Sequence, residues 1–284
     1  IQGKLPSWAA NDSLLFPSKI SSEQCSSELT ASYKQQLVSA SDVLCDLTGG
    51  LGIDSYYFSR KVRSVVYVER FPLYCEVARH NFHMLKADNI QVVSADSRVY
   101  IEQLSPVDVF YLDPARRGEG NKRVFALSDC EPDLAQLLPR LLLKAKRVIV
   151  KISPMADIRQ TMALLPGVLS VHVLSVKNEC KELLFVIGRE PVESPEIHCV
   201  NYKAADSSPQ FFSFKMGDER DAAANYSSTV KKYLYEPNAS ILKAGAFKSV
   251  SLRYAMAKMH PNSHLYTSDV FVENFPGRIF EVEE

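Results

Sequence analysis

The sequence lacks apolar runs of membrane-spanning length, because no stretch comes near the roughly 18 consecutive apolar residues of a transmembrane helix. It also lacks the opening pattern of a secretory signal peptide. These absences predict that no part of this sequence spans a membrane. The first residue is Ile1 rather than methionine, so we expect the chain to be a fragment with a further segment upstream.

Cysteines and histidines with metal-ligand spacing are also missing. The six cysteines occur without C-x-x-C spacing, and the six histidines are equally dispersed. We therefore expect no metal site and no disulfide framework, but reduced thiols in a cytoplasmic protein.

A strong charge of one sign is absent too, since the formal net charge is zero and neither half of the chain is strongly basic. This balance argues against tight autonomous RNA binding, although it leaves room for a local basic patch.

The length of the chain indicates more than one unit. With 284 residues, of which 46% are hydrophobic, it can bury a full core and still form a second unit. The pattern of strands and helices breaks at residues 191–195, between two prolines. We predict an N-terminal segment with a leading helix over 1–38, an α/β domain over 39–190, and a small α+β domain over 196–284. In the last domain we expect helices near 223–233 and 240–259.

The most informative motif is VLCDLTGGLGID at residues 43–54. Its apolar start predicts a buried parallel strand that ends at Asp46, and the glycines that follow predict a tight turn before a helix at about Asp54. Glycine lets the backbone approach a ligand closely and adopt positive φ angles. This arrangement suits a nucleotide-like cofactor at the carboxyl end of the first strand.

The motif leaves three interpretations open. A dinucleotide site would have glycine or alanine where this chain has Ser55, and its acidic residue would follow the glycines. Here Asp46 precedes them. A carboxylate beside the glycines suits S-adenosylmethionine (AdoMet) better, since AdoMet carries an ammonium and a sulfonium group. The third interpretation is a purely structural turn.

Three further predicted strands also end in acidic residues. Glu69 follows SVVYV, Asp96 follows IQVVSA, and Asp113 follows VDVFYL. In a parallel sheet the carboxyl ends share one edge, where ligands bind. Any one of these acids would also serve as a helix N-cap, but the whole set favours a binding site.

The sequence resembles a class I AdoMet-dependent methyltransferase in four places: D-L-T-G-G-L-G at 46–52, Glu69, Asp96-Ser97, and D-P-A-R-R at 113–117. It also resembles a bacterial subgroup with a THUMP-like C-terminal domain, through EQCSSE at 23–28, the D-P-A-R tetrapeptide, YLYEPNASILKAGAF and FPGRIFEVEE. The resemblance implies an α/β fold with a Rossmann-like seven-stranded methyltransferase sheet, whose last strand is antiparallel, and a small C-terminal α+β domain.

The resemblance also implies a role for each matching residue. The amino-acid part of AdoMet would contact the glycine turn, namely Asp46, Thr48, Gly49, Gly50 and Gly52. Glu69 would hold the ribose, since a carboxylate can accept hydrogen bonds from both ribose hydroxyl groups together. Asp96 and Ser97 would hold the adenine. Thr30, on the leading helix, would flank the methionine end.

The chemistry is predicted at residues 113–117. The resemblance implies that Asp113 and Pro114 orient a planar amine, as in D/N-P-P-Y turns, although Ala115 and Arg116 depart from that pattern. The departure removes the expected stacking ring and leaves the target base open. Arg116 would contact a phosphate or a carboxylate, or merely pair with a local acid.

Lys151 lies within a predicted apolar strand, where a charged group needs a partner. It would pair either with the substrate or a catalytic acid, or in a structural ion pair.

We therefore expect an AdoMet-dependent methyltransferase that acts on a base nitrogen of RNA. The alternatives are a methyltransferase for a small molecule or protein, an AdoMet-binding module without turnover, and a dinucleotide oxidoreductase.

Overall fold

The computed structural model describes residues 2–116, 130–204 and 208–283. Its helices are α1 Pro6–Ala9, α2 Lys19–Gln24, α3 Glu28–Lys34, α4 Ile53–Ser59, α5 Pro72–Met84, α6 Ser97–Gln103, α7 Leu134–Lys144, α8 Ile158–Leu164, α9 Met216–Asp221, α10 Ala239–Ala244 and α11 Phe247–Arg253, with a 3-10 turn at Gln35–Leu37. In these three stretches, no helix combines the length and the apolar character that crossing a membrane demands.

The strands are β1 Val43–Asp46, β2 Ser64–Glu69, β3 Ile90–Ser94, β4 Val109–Leu112, β5 Ala115–Arg116, β6 Cys130–Glu131, β7 Arg147–Ile152, β8 Val168–Val176, β9 Glu179–Gly188, β10 Glu196–Tyr202, β11 Gln210–Lys215, β12 Tyr233–Pro237, β13 Ala257–Lys258, β14 Tyr266–Ser268 and β15 Gly277–Glu281. The large sheet is mixed, with the order β11-β10-β8-β9-β7-β4-β1-β2-β3. The predicted α/β fold is confirmed, with nine strands in the sheet rather than seven.

The chain divides into two compact units, the first of which contains residues 1–151 and 187–189. Here β1 lies between β2 and β4, and β3 and β7 continue the parallel pairing outward. Leu44 and Cys45 are fully buried, as expected for a strand that is covered on both faces. The carboxyl ends of β1, β2, β3 and β4 consequently share one edge of the sheet.

The predicted leading helix is interrupted in the structure. Two short helices, α2 and α3, replace a continuous helix, and Ser27 begins the second by accepting a hydrogen bond from the backbone N–H of Thr30. A serine in this role stabilises a new helix start, which is why the chain turns at residues 25–27.

The second unit contains residues 152–186 and 190–284. Strands β8 and β9 are joined by Lys177 and Asn178, which both have positive φ angles, as in a tight hairpin turn. Strand β10 pairs with β8 in parallel, and β11 pairs with β10 in antiparallel orientation. The chain last crosses between the units at residues 189 and 190, next to the predicted boundary of 191–195. Residues 152–186, which we placed in the α/β domain, belong to the second unit, where β8 pairs with β10.

The rest of the second unit holds a four-stranded antiparallel sheet in the order β13-β14-β12-β15. The predicted helix at 223–233 is wrong: these residues are not helical, and β12 begins at Tyr233. The predicted helix at 240–259 is divided, because Gly245 adopts a φ angle of +74° and ends α10. A left-handed glycine is a common helix terminator.

Candidate functional site

The loop after β1 is organised around the carboxyl group of Asp46. One oxygen accepts a hydrogen bond from the backbone N–H of Thr48 at 3.0 Å, and the other accepts one from the hydroxyl of Ser55 at 2.6 Å. Burial raises the pKa of Asp46 to about 7, although both hydrogen bonds oppose the shift. Ser55, which departs from the dinucleotide pattern, is thus the partner that keeps this carboxyl group in place.

The glycines of the loop are required by close packing and by backbone conformation. A Cβ atom on Gly49 would lie 2.3 Å from the ring of Tyr67, and one on Gly52 would lie 2.7 Å from the ring of Phe82. Gly52 has a φ angle of +86° and Gly50 one of +53°. The hydroxyl of Tyr67 also donates a 2.5 Å hydrogen bond to the carbonyl of Gly50. The loop is therefore held rigidly against β2 and α5.

The ends of β2 and β3 supply the next two carboxylates. Glu69 accepts the backbone N–H of Gly50 at 3.0 Å and that of Phe71 at 2.9 Å, one with each oxygen. Asp96 caps α6 through the backbone N–H of Arg98 and also pairs with the Arg98 guanidinium at 2.5 Å. The hydrogen bonds from Arg98 lower the pKa of Asp96, against an opposing effect of burial. Both groups are therefore oriented by hydrogen bonds at the edge of the sheet.

The end of β4 brings Asp113 to the same edge. Its backbone N–H donates to the hydroxyl of Thr48 at 2.6 Å, so the loops after β1 and β4 are tied together. Its carboxylate pairs with the ammonium of Lys151 on β7 at 2.5 Å. The sequence left the partner of Lys151 open. The structure shows that this partner is Asp113, the residue predicted to orient the methyl acceptor.

A second, buried ion pair lies beside this one and was not predicted. Lys34 on α3 donates to Asp54 at 2.8 Å and to the hydroxyl of Ser26 at 2.8 Å. Asp54 also accepts hydrogen bonds from the hydroxyl groups of Ser26 at 2.8 Å and of Tyr111 at 2.7 Å. Burial would raise the pKa of Asp54, but the positive charges of Lys34 and Lys151 outweigh it and lower the pKa to about 2.

The carboxyl groups described above line a cavity of about 310 Å³. Nine of the predicted residues line it: Asp46, Thr48, Gly49, Gly50, Gly52, Glu69, Asp96, Ser97 and Asp113. The part of the wall that the structure describes also includes residues that we did not predict, among them Ser26, Asp54, Arg70, Phe71 and Tyr111. The last four are visible in the sequence only as neighbours of the predicted strand ends and the glycine-rich turn. Ser26 lies within the EQCSSE stretch, to which the sequence assigned no role.

The remaining predicted residues do not contribute to the described wall. Thr30 is buried, and its hydroxyl donates to the backbone carbonyl of Ser27, so the structure does not bring it to the cavity. Pro114 and Lys151 are not part of this wall, but Lys151 contacts two residues that are, Asp113 and Ser26. The side chain of Arg116 lies outside the described part of the structure, as does residue 117.

Comparison with known proteins shows the family to which the chain belongs. A crystal structure of a "putative methyltransferase from Porphyromonas gingivalis W83" is 39% identical in sequence and superimposes with a TM-score of 0.92, covering 100% of this chain and 71% of that one. The chain belongs to the same methyltransferase family as that protein. This family membership agrees with the class I methyltransferase fold that the sequence motifs predict.

Two further matches concern parts of the chain. A ribosomal RNA small subunit methyltransferase J from Acinetobacter baumannii is 34% identical over 139 residues, which cover 38% of this chain and 50% of that protein. The chain thus spans about half the length of the curated relatives it matches. A family described as a ferredoxin-like domain matches residues 233–276. The THUMP-like character of the C-terminal residues stays a prediction.

Proposed function

We propose that this protein is an AdoMet-dependent methyltransferase that methylates a base nitrogen of RNA in the cytoplasm. The observation that carries the proposal is the convergence of four strand-end carboxyl groups, Asp46, Glu69, Asp96 and Asp113, on one cavity. The family membership described above supports the type of reaction. The likeness to an RNA-methylating relative supports the class of substrate.

The cavity fits a cationic nucleoside. Its described wall contains six carboxyl groups, four of which pair with lysine or arginine side chains. The other two, Asp46 and Glu69, accept hydrogen bonds from neutral backbone and hydroxyl groups, and they favour the ammonium and sulfonium of AdoMet. Its volume lies within the range of about 300–1,000 Å³ that is usual for small-molecule sites. A Cβ atom on Gly50 would have no neighbour nearer than 3.7 Å, so the backbone there leaves open space for a ligand.

Glu69 and Asp96 keep hydrogen-bonding capacity for this ligand. Glu69 uses each oxygen for one backbone N–H, and since a carboxylate oxygen can accept twice, both remain able to accept ribose hydroxyl groups. The Asp96 oxygen that faces only the Arg98 guanidinium can likewise accept a second hydrogen bond. We assign Glu69 to the ribose, Asp96 with Ser97 to the adenine, and the loop from Asp46 to Gly52 to the amino-acid part.

Asp113 is the residue that we assign to the methyl acceptor. AdoMet, when bound, supplies an electrophilic methyl group. As the acceptor nitrogen uses its lone pair to bond the methyl carbon, the carbon–sulfur electron pair stays on sulfur and the nitrogen must lose a proton. Asp113 lines the cavity and can accept both the hydrogen bond from that N–H and its proton.

The test is incubation of the protein with methyl-labelled AdoMet and separate RNA, protein and metabolite fractions, together with calorimetry of AdoMet binding. We expect label in RNA, loss of labelling in Asp113→Asn with AdoMet binding retained, and weaker AdoMet binding in Glu69→Gln. Glu273→Gln, a change at an exposed residue outside the described wall, is the matched control. Label in another fraction would overturn the RNA assignment, and binding without any S-adenosylhomocysteine would identify a binding module.

A further inference from the structure

A continuous chain of hydrogen bonds joins the cavity acid Asp113 to the buried ion pair of Lys34 and Asp54. Lys151 connects them, because its ammonium contacts Asp113 at 2.5 Å and the hydroxyl of Ser26 at 3.3 Å. Ser26 in turn contacts both Lys34 and Asp54 at 2.8 Å. One hydroxyl group therefore lies between two ion pairs.

The chemistry of these partners fixes the direction of each hydrogen bond. An ammonium can only donate and an ionised carboxylate can only accept. The single hydrogen of the Ser26 hydroxyl must therefore point to Asp54, and its two lone pairs must face Lys34 and Lys151. Ser26 thus uses its whole hydrogen-bonding capacity, and its hydroxyl has one orientation.

The location of this network argues against a role in stability alone. The side chain of Lys34 is fully buried and that of Asp54 is 10% exposed. Replacing such a buried pair by apolar groups is often neutral or stabilising, so stability by itself gives little reason to keep it. Ser26 and Asp54 line the cavity, and Lys151 contacts the acid that we assign to the methyl acceptor.

We propose that Ser26, oriented by Lys34 and Asp54, is a positioning residue that holds the Lys151 ammonium against one oxygen of Asp113, which leaves the other oxygen for the N–H of the methyl acceptor. This inference rests on the proposed function for the role of Asp113. The arrangement of Lys151 itself can be tested in the resting protein, without turnover.

The first measurement is the acetylation rate of Lys151 by a succinimidyl ester, followed by peptide mass spectrometry on the full chain. We expect Ser26→Ala to accelerate it about fivefold, which corresponds to the loss of one ordinary hydrogen bond. Ser26→Thr keeps the hydroxyl group and should restore the slow rate. Lys258, which is 2% exposed, is the internal control and should react equally slowly in all variants.

The second measurement separates positioning from cofactor contact. In Ser26→Ala we expect kcat to fall about tenfold with a changed pH profile, since proton removal by a positioned base is impaired, whereas KM and the Kd for AdoMet stay within about twofold. Ser26→Thr should recover kcat. If Ser26→Ala does not fold, Ser26→Cys has a similar volume but is a weaker hydrogen-bonding group, and it serves the same comparison.

The outcomes distinguish this inference from the proposed function. Equal labelling of Lys151 in the wild type and in Ser26→Ala would overturn the positioning role, whether or not the protein turns over. Acceleration of Lys258 to the same extent would show general loosening and would overturn it as well. Faster labelling of Lys151 alone in a protein that never methylates RNA would support the network and reject the proposed function.

Discussion

The hydroxyl of Thr48 accepts a 2.6 Å hydrogen bond from the backbone N–H of Asp113. This contact joins the loop after β1, which we assign to AdoMet, to the end of β4, which we assign to the methyl acceptor. One side chain of the glycine-rich loop thus reinforces the backbone pairing of β1 with β4 that brings the two halves of the proposed reaction together.

Thr48→Val removes this acceptor while nearly preserving the shape of the side chain. We expect the free energy of unfolding to fall by about 1–2 kcal/mol, because the partly buried N–H of Asp113 loses its partner. Urea denaturation measures the change. Thr48→Ser keeps the hydroxyl and is the control, and equal stability of the valine variant and the wild type would contradict the importance of this contact.

Gly49→Ala tests the packing of the loop on Tyr67. The added methyl group would lie 2.3 Å from the Tyr67 ring, so either the loop or the ring must move. We expect destabilisation of about 1–3 kcal/mol, the usual cost of overpacking, and weaker AdoMet binding. Thermal unfolding and calorimetry measure both. Gly3→Ala, where a Cβ meets nothing within 4 Å, should leave them unchanged.

Lys34→Met tests the buried ion pair. Removing the ammonium leaves Asp54 charged in a buried position, and we expect a loss of about 3–5 kcal/mol in the free energy of unfolding. The double variant Lys34→Met, Asp54→Asn should recover a large part of it, since the unpaired charge is gone. A single variant that unfolds at the same urea concentration as the wild type would contradict this account.

The same ion pair predicts that the free energy of unfolding decreases at acid pH. The pKa of Asp54 is lowered to about 2 in the folded protein, against burial, by the charges of Lys34 and Lys151. The contribution of Asp54 to the free energy of unfolding is therefore complete above the unfolded pKa of about 3.9, and it is lost as the pH falls toward 2. Urea titrations at several pH values should show this slope in the wild type and a reduced one in Asp54→Asn.

Asp46 predicts a change of stability with pH in the opposite direction. Burial raises its pKa to about 7, so the folded protein retains a proton that the unfolded chain releases near pH 4. The stability from this group is complete below about pH 4 and is lost as the pH rises through about 7, an effect on the order of a few kcal/mol. Asp46→Asn should flatten the stability profile over this window, and an unchanged profile would contradict the shift.

Local sequence patterns were sufficient to predict the α/β class, the glycine-rich loop and the acidic residues at four strand ends. Apolar runs mark buried strands, and glycines mark places where a Cβ atom has no room, as at Gly49 beside Tyr67. The position of the acids at strand ends was enough to predict that they meet, because parallel strands share one carboxyl edge.

The folded structure was needed to show which distant side chains complete the site. Ser26, Lys34, Asp54 and Lys151 are separated by up to 125 residues along the chain, and no spacing rule links them. Likewise, the pairing of β10 with β8 depends on which sheet edge is available, not on the sequence of either strand alone. Hydrogen bonds across such separations form only after the chain has packed, and local sequence patterns carry no record of them.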